Sequence, residues 1–159
     1  MAPPASADGK TDKADAPPAT EAAPGLVVGF DRADAFFAEA LSRDMLVIAG
    51  KVMMDRNAPE GVLDTPQSGY DDTKALIGEW NGKGRLHYAI TPRFAITSTP
   101  EQMEMAGALM REYPDLHMQT HLSENHDEIK FTQELYPWSK DYTDVYEHYG
   151  LLGPKALFG

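Results

Sequence analysis

The sequence predicts an α/β fold in which parallel strands alternate with helices. Short apolar runs, typical of buried strands, alternate along the chain with segments whose apolar residues recur at helical spacing. Prolines and glycines lie between these segments and indicate loops. Because consecutive parallel strands need a crossover connection, which is usually a helix, this alternation favours right-handed strand–helix–strand units.

Short runs of apolar residues predict the strands. The predicted strands span residues 26–30, 46–53, 86–90, 116–121 and 156–159, the last as a strand cut short by the end of the sequence. The third strand should end at Pro92, because proline has no N–H to donate to a central ladder.

Two helices are predicted between the first three strands. A stripe that contains Phe37 and Leu41 predicts the first, with Asp31 as its N-cap. The second is predicted over residues 71–80, with Trp80 on its apolar side. The segment before it contains several prolines and glycines and is predicted to be a loop.

The helix after the third strand has the clearest start signal. Thr99 is its predicted N-cap, a proline follows, and Gln102 stands at the spacing of a capping box. Asn125 and Glu128 have the same spacing at the start of the next helix. A last short helix is predicted over residues 142–149.

Composition restricts the classes of function. The chain has 159 residues, with 25 Asp and Glu against 14 Lys and Arg, so a net charge of -11 disfavours binding to nucleic acid. No apolar run reaches the roughly 18 residues that suggest a membrane span. Cysteine is absent, which excludes disulfides and thiolate metal sites. Without a signal-peptide pattern, we expect a cytoplasmic protein.

Residues 1–25 differ from the rest of the chain. They are rich in proline and alanine and contain no aromatic residue and no Ile, Val or Leu. Such a segment cannot bury enough apolar surface to offset the entropy of ordering it. The sequence therefore predicts a disordered tail over residues 1–25 and one folded domain over residues 26–159.

Polar residues follow three successive predicted strands. Lys51 ends one strand run, Thr91 and Arg93 follow the next, and His121 and Glu124 follow the fourth. In parallel α/β folds the reactive groups collect where strands end and loops begin. We therefore expect these side chains to point toward one rim of the sheet.

His121 and Glu124 could carry metal-dependent chemistry. A neutral imidazole binds Zn²⁺ or Fe²⁺, and a carboxylate beside a metal-bound water can carry its proton. A catalytic zinc uses about three protein ligands, so this pair alone defines no metal site.

Each candidate also has an ordinary structural alternative. His121 could be a hydrogen-bonded structural histidine, and Glu124 could be a first-turn glutamate that only favours the helix dipole. Arg93 could be a surface salt-bridge partner, and Phe94 could be a core residue.

Four motifs occur in a fixed order along the chain. They are Gly-Lys-Val-Met-Met-Asp at 50–55, Ile-Thr-Pro-Arg-Phe at 90–94, Gln-Thr-His-Leu-Ser-Glu-Asn at 119–125 and Tyr-Thr-Asp-Val-Tyr at 142–146. Together they resemble the guanine deaminases, in the order and approximate spacing of that family. The resemblance implies a (β/α)8 TIM-type barrel of the metal-dependent hydrolase kind, which hydrolyses guanine to xanthine and ammonia.

The resemblance also implies a role for each site residue. His121 would be a metal ligand, with one Zn²⁺ expected and Fe²⁺ as the other candidate. Glu124 would be the catalytic proton shuttle. Arg93 and Phe94 would bind the substrate, guanine, with Arg93 on the carbonyl side of the purine.

The sequence departs from the family pattern in two ways. It contains no His-x-His pair, which the family carries on its first barrel strand. It also supplies only about half the strands of a barrel that needs about 250 residues. We therefore expect a partial barrel that is inactive alone and forms a homo-oligomer or associates with the missing barrel segments. The alternative is a non-catalytic purine-binding or protein-interaction module derived from the same fold.

Overall fold

Parallel strands form one sheet in the computed structural model, which describes residues 26–30 as backbone and residues 33–159 in full. In order across the sheet the strands are β1 (Leu26–Phe30), β2 (Val47–Met53), β3 (Leu86–Pro92), β4 (His117–Thr120) and β5 (Ala156–Phe158). Every neighbouring pair is parallel. The predicted tail over residues 1–25 and the predicted N-cap Asp31 lie outside the described residues.

Helices connect the strands. They are α1 (Ala33–Ser42), α2 (Pro66–Trp80), α3 (Pro100–Glu112), α4 (His126–Leu135) and α5 (Tyr142–His148). Because the order across the sheet is the order along the chain, each strand lies beside its predecessor, as in one part of a (β/α) barrel. The predicted α/β alternation and partial barrel are therefore confirmed.

The core lies between the helices and one face of the sheet. Alternate residues of β2 and β3, such as Val47, Leu86 and Tyr88, have no exposed surface. Phe37 of α1 stacks on Tyr88 with ring centroids 5.9 Å apart and on Trp80 at 5.7 Å. Successive side chains of a strand point to opposite faces, so the residues between these belong to the other face of the sheet.

His87 belongs to that other face. It is exposed, because Leu86 and Tyr88 on either side of it are the residues turned toward the helices.

Close backbone approach explains Gly50 in β2. A Cβ atom at this position would lie 1.8 Å from the carbonyl oxygen of Ala89 on β3, so no larger residue fits without moving a strand.

The structure corrects the predicted start of α2. This helix begins at Pro66, within the segment that the sequence indicated as a loop. Thr65 and Ser68 form a reciprocal capping box, with Ser68 N donating to Thr65 Oγ1 and Thr65 N donating to Ser68 Oγ. Proline is favoured at the first helical position because its missing N–H would have no partner there.

The two predicted capping boxes form only in part. Thr99 Oγ1 accepts from Gln102 N, and Asn125 Oδ1 accepts from Glu128 N, so both N-caps are confirmed. The side chains of Gln102 and Glu128 are buried instead of returning to the cap, at 0% and 5% exposed. The second hydrogen bond of each predicted capping box is therefore absent. No helix among residues 33–159 is long and apolar enough to cross a membrane.

Candidate active site

The carbonyl oxygen of Arg93 joins the ends of β3 and β4. It accepts hydrogen bonds from His121 N at 3.0 Å and from Thr120 Oγ1 at 3.1 Å, and His121 Nδ1 lies 2.8 Å away. A carbonyl oxygen can only accept, so Nδ1 carries the ring proton. In the neutral imidazole this leaves the lone pair of Nε2 free, which is how protein metal ligands are commonly oriented.

The side chain of Arg93 is exposed at this rim. Its Nη1 lies 3.4 Å from Met54 Sδ, and its guanidinium lies 5.1 Å from the ring centroid of Phe94. Among the described residues, none of the ion pairs includes Arg93. The structure therefore does not favour the surface salt bridge, and the donors of the planar guanidinium fork remain available to a ligand.

Phe94 connects Arg93 to His121. Its ring meets the His121 imidazole edge-on, with centroids 5.8 Å apart and planes at 61°. The side chain is only partly buried, so Phe94 belongs to the rim and not to the core. An aromatic ring in this position offers an apolar surface to a planar ligand.

Glu124 lies opposite the free nitrogen of His121. Its Oε1 is 3.9 Å from His121 Nε2, too far for a hydrogen bond, and both side chains are about half exposed, at 49% and 47%. Ser123, between them, has φ 58°, a left-handed conformation that is uncommon outside glycine. Such conformations concentrate at functional sites, where the surrounding structure holds them in place.

Glu124 also lies outside α4, because Asn125 is the N-cap and the helix begins at His126. The first-turn interpretation of Glu124 is therefore wrong, since the residue precedes the cap. Its carboxylate is instead held near the imidazole by the turn at Ser123.

Two of the strand-end residues do not join this group. Lys51 Nζ lies 2.6 Å from both carboxylate oxygens of Asp64, which ties it to the loop before α2. Thr91 Oγ1 donates to Ala89 O and accepts from Gln119 Nε2, and it is buried. The predicted common rim is therefore formed by Arg93, His121 and Glu124.

Two residues of the site were not identified from sequence. Met54 supplies the sulfur beside the Arg93 guanidinium and is 3% exposed. Thr120 donates to the same carbonyl as His121. Thr120 could have been found from its place beside His121 at a strand end, whereas nothing in an apolar run separates Met54 from ordinary core methionines.

The described residues provide one candidate metal ligand and not a complete metal site. Nε2 of His121 has a free lone pair, and Nδ1 is fixed by the Arg93 carbonyl, as is common in histidines that bind zinc or iron. Among residues 33–159, however, no three His, Asp or Glu side chains lie close enough together to hold an ion. His121 therefore fits the role of a single ligand.

Comparison with known proteins shows which family the chain belongs to. A sequence profile of the amidohydrolase family matches residues 20–158. The chain belongs to the amidohydrolase family. Guanine deaminase of Escherichia coli K12 is 56% identical to this amidohydrolase over 125 residues, which are 79% of this chain and 28% of that protein. The chain thus spans little more than a quarter of the length of this curated relative.

Solved structures extend the comparison. The structure of E. coli guanine deaminase superposes with a TM-score of 0.81 at 54% identity, over 84% of this amidohydrolase and 32% of that chain. Guanine deaminase from C. acetobutylicum, solved with guanine bound in its active site, gives a TM-score of 0.77 at 31% identity, over 82% and 32% of the two chains. The sheet and helices described above therefore form part of an amidohydrolase barrel.

Proposed function

We propose that this amidohydrolase supplies the guanine-binding and proton-transfer residues of a guanine deaminase. The observation that carries the proposal is the continuous set of contacts from Arg93 through Phe94 and His121 to Glu124 at one rim of the sheet. The 56% identity to the E. coli enzyme supports it. So does the likeness to a relative that was solved with guanine in its active site.

Arg93 and Phe94 bind the substrate in this proposal. Arg93 presents a planar donor fork that suits the carbonyl oxygen of guanine. Phe94 holds the purine from the side, with its ring between the guanidinium and the imidazole. A planar heterocycle placed there would lie beside the free side of His121.

Glu124 moves the proton. In the reaction a water adds to the carbon that bears the exocyclic amine, the C–N bond breaks, and guanine and water become xanthine and ammonia. The water loses both of its protons in this reaction: one passes to the leaving amine, which departs as ammonia, and the other ends on the ring nitrogen N3 of xanthine. The half-exposed carboxylate of Glu124 is free to accept and return a proton, because no hydrogen bond holds it to His121.

A divalent cation is part of this proposal, with Zn²⁺ favoured and Fe²⁺ as the other candidate. Such an ion, when bound, lowers the pKa of a coordinated water toward neutrality. His121 Nε2 would be one of its ligands, and its other ligands would come from outside the described residues. Nδ1, donating to the Arg93 carbonyl, would keep the ring oriented.

A segment exchange tests the proposal. The part of E. coli guanine deaminase that aligns with this chain would be replaced by the corresponding residues of this chain, which share 56% identity over 125 residues. The zinc-loaded chimera should release ammonia and xanthine from guanine. Glu124→Gln should lower kcat by about 10²–10⁴-fold, the range for loss of a general acid–base group.

Glu134→Gln is the matched control, because this glutamate is 60% exposed on α4 and pairs only loosely with Lys130 at 3.9 Å. It should leave the rate unchanged. A chimera that is folded and zinc-loaded but does not deaminate guanine would contradict the proposal, as would a Glu124→Gln chimera with full activity.

A further inference from the structure

The hydroxyl of Tyr146 lies where the two strand ends of the candidate site meet. Tyr146 is on α5 and has no exposed surface. Its oxygen lies 3.1 Å from Ala95 N, 3.1 Å from Thr120 Oγ1 and 2.7 Å from the carbonyl oxygen of His121. One side-chain atom thus contacts both the loop that follows Phe94 and the backbone of His121, the candidate metal ligand.

The direction of two of these hydrogen bonds, those with Ala95 N and the His121 carbonyl, is fixed by chemistry. The Ala95 N–H can only donate and the His121 carbonyl can only accept, so the hydroxyl accepts from the first and donates to the second. Burial raises the pKa of Tyr146 to about 12, so the donating proton is retained at neutral pH. The shortest of the three contacts, at 2.7 Å, is the donation to His121.

The ring of Tyr146 gives this hydroxyl a fixed position. It stacks on Tyr142 with centroids 5.6 Å apart and planes at 20°, and it contacts Phe158 at 6.0 Å. A phenylalanine would preserve these ring contacts and lose only the hydroxyl. Packing of the ring and bonding of the hydroxyl are therefore separable by one substitution.

His121 is consequently held from two sides. Its carbonyl oxygen is fixed by Tyr146, and its backbone N–H and ring Nδ1 are fixed by the carbonyl of Arg93. If the first anchor is lost, the peptide of His121 can rotate and the Nδ1 bond that sets the ring proton weakens. Two anchors on one residue are how a side chain is kept within the narrow tolerance of a working site.

We propose that Tyr146 is a positioning residue, whose hydroxyl sets the orientation of His121 relative to Arg93 and Phe94. What this orientation is used for rests on the proposed function. The orientation itself is measurable without substrate or metal. The hydroxyl of Tyr146 is hydrogen-bonded to protein atoms, so we expect Tyr146 to affect substrate and metal binding only through the orientation of His121.

The test uses the full chain labelled with ¹⁵N and compares Tyr146→Phe with Tyr88→Phe. Tyr88 is the matched control, because it is equally buried and its hydroxyl also accepts from a backbone N–H, that of Lys51 at 3.0 Å. In the unsubstituted chain His121 should show a single tautomer with the proton on Nδ1. Tyr146→Phe should give a mixture of tautomers and about tenfold faster exchange of the His121 amide, the factor expected from one lost hydrogen bond.

Tyr88→Phe should leave the His121 signals unchanged even if it destabilises the fold as much. The proposal is overturned if Tyr146→Phe leaves the His121 tautomer and amide exchange unchanged, or if Tyr88→Phe alters them equally. If Tyr146→Phe does not fold, a measurement on the unsubstituted chain still tests the proposal. Its Tyr146 hydroxyl proton must then be visible in slow exchange and close to the Ala95 amide proton, and its absence contradicts the proposal.

The chimera separates this inference from the proposed function. If the chimera deaminates guanine, Tyr146→Phe should lower kcat about tenfold while changing KM little, since Arg93 and Phe94 still bind the purine. If the chimera has no activity but the His121 tautomer depends on Tyr146, the proposed function fails and the positioning role stands.

Discussion

Lys51 Nζ lies 2.6 Å from each carboxylate oxygen of Asp64, and the two side chains are only 12% and 11% exposed. This ion pair ties the end of β2 to the loop that precedes α2. The same loop carries Met54, whose sulfur lies beside the Arg93 guanidinium. A partly buried structural ion pair therefore links β2 to the loop that forms one wall of the candidate site.

Removing one partner of this pair should be costly. Lys51→Met should lower the free energy of unfolding by about 3 kcal/mol, the lower end of the range for a fully buried pair, because it leaves the largely buried Asp64 carboxylate without a counter-charge. The double variant Lys51→Met/Asp64→Leu should recover most of the loss. Lys74→Met is the control, since Lys74 and Glu112 are 44% and 37% exposed and such pairs are worth about 0–1 kcal/mol. Urea denaturation measures all three, and an equal loss for Lys51→Met and Lys74→Met would disprove the distinction.

Gly107 in α3 should not tolerate a side chain. A Cβ atom there would lie 2.2 Å from the carbonyl oxygen of Tyr149, so α3 and the end of α5 would have to separate. Gly107→Ala should lower the free energy of unfolding by about 1–3 kcal/mol, the usual cost of overpacking. Denaturant midpoints and their slopes would report it.

Gly78 provides the matched control for Gly107. It lies inside α2, is exposed, and a Cβ atom there would meet nothing within 4 Å. Gly78→Ala should raise stability by about 0.5–1 kcal/mol, because alanine loses less backbone entropy in a helix. If both alanine variants shift stability in the same direction, the steric explanation for Gly107 is wrong.

Local periodicity predicted the order and approximate bounds of the strands and helices, because each depends on neighbouring residues. It misplaced the start of α2, since Pro66 and Gly69 indicate a loop when each is taken singly, whereas the cap at Thr65 makes proline a favourable first residue. It also gave Gln102 a capping role, whereas packing between α2 and α3 buries that side chain. The first error arises because several neighbouring residues together favour a helix start that each one alone does not indicate. The second arises because a contact distant in sequence outweighs the local preference of Gln102.

For the site, the spacing of His121 and Glu124 was visible in the sequence, but their arrangement was not. The approach of Glu124 to Nε2 depends on the left-handed turn at Ser123, and the ring proton depends on a carbonyl of the neighbouring strand. Lys51 was expected at the rim and instead pairs with a carboxylate 13 residues away. The resemblance to guanine deaminases, rather than periodicity, suggested the roles of the four residues.

Arg93→Lys in the chimera should weaken guanine binding. Lysine keeps the charge but loses the planar fork, so one hydrogen bond from a charged group is lost and KM should rise about 10–100-fold. The kcat value should fall less, because Glu124 is untouched. Arg43→Lys is the control, as this exposed arginine at the end of α1 pairs with Glu39 far along the chain from the site. A rise in KM confined to Arg93→Lys supports the binding role, and unchanged steady-state kinetics would exclude it.

His117 should make stability depend on pH. Burial, followed by the charges of Lys155 and His87, lowers the pKa of His117 below its ordinary value. The folded chain therefore binds this proton less readily than the unfolded chain does. Above the unfolded pKa of about 6.5, His117 is neutral in both states and does not change the free energy of unfolding. As the pH drops through that value toward the folded pKa, the unfolded chain takes up the proton first and the free energy of unfolding falls.

His117→Gln should remove this part of the acid sensitivity. The urea midpoint would be measured at about pH 7.5 and about pH 5.5, which bracket the ordinary histidine pKa. The decrease between them should be smaller in His117→Gln than in the unsubstituted chain, while carboxylates contribute equally to both. If His117→Gln retains the full decrease, His117 titrates alike in the folded and unfolded chains, and the cause of the acid sensitivity lies in other groups.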